Sequence, residues 1–232
     1  MTIKKVLNEI KKGDYEYVDM RFTDPRGKLQ HVTVMASEVD EGFLKSGWMF
    51  DGSSIAGWKS INESDMKLMP DLESGYLDPF YSEKTYCLHC NVVEPESGKL
   101  YGRDPRSTAV KAEEFLKKTK IGTKAFFGPE AEFFLFDDVK FSNSMNKVSF
   151  EVDAMDASWN TDTSYEMGNM GHRPGVKGGY FPVNPTDAGQ DIRSEMLSTM
   201  KRMGMKVDKH HHEVASCQHE LGLVFDSLKA QG

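Results

Sequence analysis

The spacing of hydrophobic residues changes along the first hundred residues from a helical to a strand-like pattern. Apolar residues at the start share one helical face: Ile3, Val6, Leu7 and Ile10. They predict an amphipathic helix that Gly13 ends. Four strand-like stretches follow: YEYVDMRFT, KLQHVTVM, DMKLM and TYCLHCNVV. A short helix capped by Ser37, SEVDEGFLK, separates the second stretch from the third. This order predicts a small α+β domain of the β-grasp kind over residues 1–103.

A second domain is predicted over residues 104–232. Asp104 is a favourable N-cap and Pro105 suits the first helical position, so a helix begins there and ends at Gly122. Further elements follow in order: a strand in FFGPEAEFFLFD, a strand around KVSFEVD, a helix capped by Asp187, and the strand MKVDKHHHEVA. The stretch SWNTDTSYEMGNMGHRPGVKGG before the last helix is rich in glycine and polar residues. It predicts a long loop, and such loops are usually functional or mobile.

Composition and charge limit the class of protein. The chain has 232 residues, of which 38% are hydrophobic and 28% charged, as in an ordinary globular protein. A net charge of −7 and a pI of about 5.5 argue against nucleic-acid binding and against a basic membrane-surface helix. No apolar run approaches the roughly 20 residues that span a bilayer. The lysines near the start belong to the amphipathic helix and not to a signal peptide, so we expect a cytoplasmic protein.

The three cysteines, Cys87, Cys90 and Cys217, do not indicate a disulfide framework because their number is odd. Cys87 and Cys90 form a C-x-x-C pattern, but it lies in a predicted strand. Strand positions three apart face opposite sides of the sheet. We therefore expect packing thiols and no zinc site.

Two glutamates interrupt the apolar stretch FFGPEAEFFLFD. Glu130 and Glu132 are two residues apart, so on a strand their side chains share a face. Two like charges on a half-buried face raise each other's pKa and are costly to desolvate. Either the strand is a solvent-facing edge, or a cation lies between the carboxylates. The flanking phenylalanines favour a buried strand with a covered face, and hence the cation.

Two more glutamates, Glu213 and Glu220, lie in and after the strand MKVDKHHHEVA. Strand alternation places His211 on the same face as Glu213, and His210 and His212 on the opposite face. Carboxylate oxygens suit hard ions, so the four glutamates together predict a site for Mg²⁺ or Mn²⁺.

Two loops carry weaker signals. The segment FDGSSI contains Asp51 and Ser54, which is ordinary turn chemistry, but Trp58 and Asp65 follow closely. An exposed tryptophan beside two acids is less usual for a plain turn, and spacing alone leaves both interpretations open. The segment KGGYF could present backbone amides to a phosphate, although a glycine pair usually only permits a turn.

Six motifs occur in one order along the chain: MFDGSSIAGW, NESDMKLMPD, FFGPEAEFFLFD, GGYFPVNP, QDIRSEM and HHHEVASCQHELG. In this order they closely resemble bacterial type I glutamine synthetase, across essentially the whole chain. The resemblance implies a β-grasp domain followed by an α/β catalytic domain with an antiparallel sheet that carries the metal-binding glutamates. It implies a ligase of glutamine biosynthesis and nitrogen metabolism that joins ammonium to L-glutamate with ATP, through γ-glutamyl phosphate. The family assembles as a homo-oligomer of two stacked hexameric rings.

The resemblance also implies roles for single residues. Glu132, Glu213 and Glu220 match the ligands of one divalent cation, and Glu130 matches a ligand of a second. In the active-site loop, Asp51 matches the acid that takes a proton from ammonium, and Ser54 and Trp58 lie beside it. Asp65 matches a position at the subunit contact.

Three further positions match residues near the nucleotide in the family: Asp208, His211 and Phe225. His211 is expected close to the ATP phosphates. Strand alternation points Asp208 away from Glu213, so its contact is expected through the backbone.

The family's catalytic domain continues for about as long again beyond the last residue here. The chain is therefore expected to be a fragment with a half-built second cation site, and to be inactive by itself. Two alternatives remain: a γ-glutamyl-amine ligase of the same superfamily, and a non-catalytic fragment that modulates assembly. The Asp51 loop favours ammonia, because a small cation needs an acid that binds and deprotonates it.

Overall fold

The structure, a computed structural model, describes residues 1–159 and 172–231. It contains two compact units: Met1–Phe127 with the chain end from Asp226, and Gly128–Phe225. Residues 160–171, which fall in the predicted long loop, lie outside the described part. Within the described ranges, no helix is long and apolar enough to cross a membrane.

The first unit combines a mixed sheet with helices. Its elements are α1 (Ile3–Gly13), β1 (Tyr17–Thr23), β2 (Leu29–Met35), α2 (Glu41–Ser46), β3 (Trp48–Asp51), β4 (Asp65–Pro70), β5 (Tyr76–Leu77), β6 (Thr85–Val93) and α3 (Pro105–Thr119). The strand order is β2-β1-β6-β4-β3, with β5 also paired to β6. Only β1 and β6 run parallel among these pairs; the others are antiparallel. The predicted α+β class is confirmed.

Local sequence signals account for the helix ends. The Asp104 carboxylate accepts hydrogen bonds from the backbone N–H groups of Arg106 and Ser107, so the predicted start of α3 is confirmed. The predicted cap at Ser37 is wrong. That residue lies in a 3₁₀ turn, and α2 begins after Asp40, whose Oδ1 accepts from Phe43 N at 2.7 Å. Asp40 satisfies the free backbone N–H of Phe43 in the first turn of the helix. Ser37 lies too early in the chain to reach that group.

The apolar core of the first unit covers one face of its sheet. Val18, Met20 and Phe22, at alternate positions of β1, contribute to two buried clusters. One cluster packs against α1, and the other surrounds Trp58. Cys90 belongs to this face, whereas the Cys87 thiol lies on the other, near Asp19 and Asp78. Both side chains are buried, as predicted for packing thiols.

The second unit contains β7 (Glu130–Phe134), β8 (Asp138–Ser144), β9 (Lys147–Asp153), α4 (Gln190–Arg202), β10 (Val207–His212) and β11 (Gln218–Leu223). Strands β10, β11 and β7 form one antiparallel sheet in that order, while β8 and β9 form a separate hairpin. The predicted antiparallel sheet is confirmed. A last short helix, α5 (Leu228–Gln231), belongs to the first unit.

The predicted burial of the strand in FFGPEAEFFLFD is wrong. Strand β7 starts only at Glu130, and it is an edge strand that pairs with β11 alone in the described part of the chain. Phe134 is 49% exposed, and Glu130 and Glu132 are exposed as well. The flanking phenylalanines therefore do not indicate a covered face within this unit.

The start of α4 also differs from the prediction. The N-cap is Gly189, and the helix begins at Gln190. Asp187 lies one turn earlier, where its carboxylate accepts from Gly189 N and forms an ion pair with Arg193. An arginine that needs a buried counter-charge competes for this aspartate, and sequence spacing does not show that competition.

Candidate metal centre

Three neighbouring strands bring one histidine and several glutamates onto the same face of a sheet. His211 on β10 pairs with Glu220 on β11, and Glu220 pairs with Glu132 on β7. Directly paired residues share a face of the sheet, and their Cβ atoms lie about 5 Å apart. Glu130 pairs with Gly222, one step along the same face. The register alone therefore gathers three of the four predicted glutamates on this face.

Among the described residues, one group of His, Cys, Asp or Glu side chains has the geometry of a metal site. Ligand atoms of His211, Glu213 and Glu220 all lie within 4.8 Å of one another. His211 Nδ1 is 3.4 Å from Glu213 Oε1, and its Nε2 is 3.5 Å from Glu220 Oε1. The two carboxylates supply oxygen donors of the kind that Mg²⁺ and Mn²⁺ prefer, and the imidazole lies beside them.

The electrostatics of this group also favour a cation. Burial raises the pKa of Glu220, which is 5% exposed. The nearby His211 lowers that pKa, whereas the charges of Glu130 and Glu213 raise it further. A buried carboxylate with acidic neighbours is stabilised by a positive ion placed among them. The residues present therefore fit a divalent cation.

Glu132 is outside the group that lies within 4.8 Å. Its Oε2 accepts a hydrogen bond of 2.8 Å from Gln218 Nε2. Because Glu132 stands directly opposite Glu220, rotation of its exposed side chain would bring it to the group without movement of the backbone. Glu130 acts on Glu220 through its charge.

The predicted direction of the Asp208 side chain is wrong. Strand alternation predicts that its side chain points away from Glu213, but the register of β10 shifts between Val207 and Lys209. At this bulge, two residues of β10 lie opposite the single residue Gly222. A Cβ atom added at Gly222 would lie 2.5 Å from Asp208 Oδ1. Gly222 is on the face of Glu220, so the Asp208 carboxylate is there too. An irregularity of one residue reverses a prediction that depends on strict alternation.

The predicted alternation of the histidine run is confirmed. His211 is on the face of the glutamates, whereas His210 contacts Arg193 and Ser194 of α4. His212 is buried and pairs through Nε2 with Asp156 Oδ2 at 2.9 Å.

Two aromatic residues that sequence reasoning did not assign lie against the group. Tyr180 and Phe181 stack with ring centroids 3.9 Å apart, and their rings lie 5.7 and 4.6 Å from that of His211. Gly179 permits this approach, because a Cβ there would lie 2.6 Å from Glu213 O. The only signal in the sequence was the segment KGGYF, whose glycine pair we predicted to permit a turn.

The Asp51 loop belongs to the first unit. Asp51 ends β3, and its carboxylate accepts from Ser53 N at 2.8 Å, from Ser53 Oγ at 2.6 Å and from Ser54 Oγ at 3.1 Å. Hydrogen bonds from Ser53, and then from Ser54, hold the pKa of Asp51 below its ordinary value. Asp65 pairs with Asp51 across β3 and β4, and both are exposed.

The predicted exposure of Trp58 is wrong. Its side chain is 5% exposed and packs in the core, with ring centroids 5.6 Å from Phe22 and 5.5 Å from Tyr101. The loop around it is polar, but the indole fills the apolar cluster beneath the sheet. Phe225, by contrast, follows β11 and is 63% exposed.

Comparison with known proteins identifies the family. Residues 14–95 match the glutamine synthetase β-grasp domain, and residues 102–231 match the glutamine synthetase catalytic domain. The chain therefore belongs to the glutamine synthetase family. The predicted fold class is confirmed, while the predicted domain bounds, 1–103 and 104–232, stay a prediction.

Relatives and solved structures agree with this assignment. The chain is 66% identical to the glutamine synthetases of Cereibacter sphaeroides and Rhodobacter capsulatus, over 99% of its length and 49% and 52% of theirs. It is 56% identical to that of Rhizobium meliloti over 98% of its length and 48% of the relative. A cryo-EM structure of Plasmodium falciparum glutamine synthetase matches all of this chain and 46% of the other, with 26% identity and a TM-score of 0.86. The chain spans about half the length of the curated relatives it matches.

Proposed function

We propose that this chain supplies the β-grasp domain and the cation-binding strands of a glutamate–ammonia ligase. The reaction joins ammonia to L-glutamate with ATP, through γ-glutamyl phosphate. The observation that carries this proposal is the convergence of Glu213, Glu220 and His211 on the sheet face where Glu132 stands opposite Glu220. Relatives 66% identical to the chain are glutamine synthetases, which favours ammonia over an organic amine as the acceptor.

Glu132, Glu213 and Glu220 would hold one divalent cation, and Glu130 would contribute to a second. Mg²⁺ and Mn²⁺ are the ions that suit oxygen donors. When bound, such ions neutralise the charge of the phosphoryl group during its transfer.

Asp51 would bind ammonium and receive its proton. Hydrogen bonds from Ser53 and Ser54 keep this carboxylate ionised at neutral pH, so it attracts a small cation. Ammonium is not a nucleophile, and a carboxylate at the reaction site can accept the proton that must leave. Buried Trp58 supports the loop from beneath, and Asp65 lies beside Asp51 at the proposed subunit contact.

Asp208, His211 and Phe225 would lie near the nucleotide. Because the bulge places the Asp208 carboxylate on the face of the glutamates, its side chain, and not only its backbone, is available for a contact. His211 would stand closest to the phosphates, between the two carboxylates that it already contacts.

The active protein would be a cytoplasmic homo-oligomer of two stacked hexameric rings. In this arrangement each site is shared, with Asp51 of one subunit serving the glutamates of the next. The 232-residue chain alone is expected to form no glutamine.

The test uses protein expressed from the whole reading frame, with Asp51→Ala and Glu132→Ala prepared as separate inactive oligomers. After dissociation, mixing and reassembly, sites that pair an intact Asp51 with an intact Glu132 should form glutamine from ATP, glutamate and ammonia. A mixture of Glu132→Ala with Glu213→Ala is the matched control, because both changes remove ligands of one cation and no site is restored. If verified mixed oligomers of the first pair stay as inactive as the control, the shared site is refuted. A preference for polyamines over ammonia in product analysis would refute ammonia as the acceptor substrate.

A further inference from the structure

A fully buried arginine lies behind the sheet that carries the glutamates. Arg193 on α4 has no exposed surface. Its Nη2 forms an ion pair with the Asp187 carboxylate, and its Nη1 lies 2.7 Å from His219 Nδ1. Its Nε donates to His210 Nδ1 at 3.2 Å. One guanidinium therefore contacts both β10 and β11.

His210 and His219 are the immediate neighbours of two residues of the candidate metal centre. His210 precedes His211 on β10, and His219 precedes Glu220 on β11. Neighbours on a strand point to opposite faces, so a contact behind the sheet fixes the part of each strand that presents a ligand in front. Arg193 thus holds the two ligand-bearing strands at the level where His211 and Glu220 pair.

Hydrogen-bonding chemistry fixes the orientation of these rings. A guanidinium can only donate, so Nδ1 of His210 and Nδ1 of His219 must both accept. The ring proton of His210 is then on Nε2, which lies 3.1 Å from Ser194 Oγ. A lysine could not reproduce this arrangement, because a single ammonium group lacks the planar fork that spans two strands.

A second buried contact anchors the other end of the ligand group. His212 Nε2 lies 2.9 Å from Asp156 Oδ2, and its Nδ1 lies 2.6 Å from the carbonyl oxygen of Glu213. The rings of His212 and His219 are 5.2 Å apart, so the two contacts adjoin behind the sheet.

We propose that Arg193 is a positioning residue for the cation site: it joins β10 and β11 from behind so that His211, Glu213 and Glu220 converge in front. This proposal rests on the proposed cation-binding function. Partners that orient metal ligands from behind typically contribute roughly 10–100-fold to metal affinity.

The test compares Mn²⁺ binding by isothermal titration calorimetry to the 232-residue chain and its Arg193→Lys variant. A positioning role predicts a Kd raised roughly tenfold or more, with an unchanged number of sites per folded chain. A merely structural role predicts fewer sites, in proportion to the unfolded fraction, with an unchanged Kd. Either that pattern or an unaltered titration would overturn the proposal.

Arg21→Lys is the matched control. Arg21, whose side chain is 12% exposed, also joins two carboxylates, Asp19 and Asp78, but it lies in the first unit. Its replacement should lower stability without a change in the Kd for Mn²⁺. An equal rise in Kd in both variants would show a general effect of lost stability and overturn the proposal.

A second variant and a metal-free measurement keep the outcomes separate. If Arg193→Lys does not fold, Asp187→Asn loosens the same guanidinium at nearly constant volume and should also raise the Kd. In metal-free protein, NMR contacts between the His211 ring and the Glu213 and Glu220 side chains should be present in wild type and lost in the variant. If wild type shows these contacts but binds no Mn²⁺, the cation function fails and the positioning role is judged by the contacts alone. If the variant keeps these NMR contacts, the positioning role of Arg193 is overturned.

Discussion

Replacement of Glu220 by glutamine should change stability and metal affinity in opposite directions. In the absence of divalent cations, Glu220→Gln should stabilise the chain, because it removes a buried charge that has acidic neighbours. The new amide can also donate a hydrogen bond to the Glu213 carboxylate. With Mn²⁺ present, the variant should lose affinity because one anionic ligand is gone.

The geometry sets the size of the effect. The ligand atoms of Glu213 and Glu220 lie within 4.8 Å of each other. Two unit charges at that separation repel by roughly 1–3 kcal/mol for effective dielectric constants of about 80 to 20. His211, 3.5 Å from Glu220 Oε1, offsets part of this repulsion. We therefore expect a net stabilisation of about 1 kcal/mol, or roughly 2–4 °C in Tm for a chain of this size.

The assay is thermal and urea unfolding in a chelating buffer, repeated with added Mn²⁺. Glu195→Gln is the control, because Glu195 is an exposed carboxylate on α4. Glu195→Gln should change neither the stability of the metal-free chain nor the increase in stability that Mn²⁺ produces. The reasoning is refuted if Glu220→Gln destabilises the metal-free chain, or if Mn²⁺ stabilises the variant as much as wild type.

Two further predictions concern the first unit. Burial would raise the pKa of Asp19, but hydrogen bonds from Thr33, Arg21 and His31 lower it below 3.8. Asp19 thus contributes stability above that pH, and the contribution is lost as pH falls through its folded pKa. Asp19→Asn should cost about 2 kcal/mol or more at pH 7 and less at pH 3 in urea unfolding; an equal cost at both would contradict this linkage. Asp104→Ala removes a buried cap and should cost roughly 2 kcal/mol in the same assay; an unchanged midpoint would show that the cap contributes nothing.

Much of the local structure follows from short-range chemistry. The start of α3 depends on Asp104 and Pro105 alone, and the facing of the histidine run depends on strand alternation. Both were predictable, because neighbours along the chain determine them. The roles of the glutamates came from the resemblance to a family, and the register that places Glu132 opposite Glu220 became visible only in the sheet.

The failures share a different origin. The burial of β7 depends on what pairs with it, and Trp58 is buried by residues from distant parts of the first unit. The bulge at Asp208 adds one residue to a strand, β10, that itself contains no glycine or proline. The contact of Tyr180 with His211 joins segments 31 residues apart. Such long-range contacts and irregularities leave no regular pattern in the sequence.

The most direct test of the central claim is the anomalous diffraction of crystals of the chain soaked in Mn²⁺. We predict an anomalous peak within coordination distance of Glu213 and Glu220, with the Glu132 side chain turned from Gln218 toward the ion. Soaking of Glu220→Gln crystals under the same conditions should reduce or abolish that peak. A wild-type crystal with no peak at these glutamates, or with Mn²⁺ bound only elsewhere, would contradict the claim that this sheet is the cation-binding part of the proposed ligase.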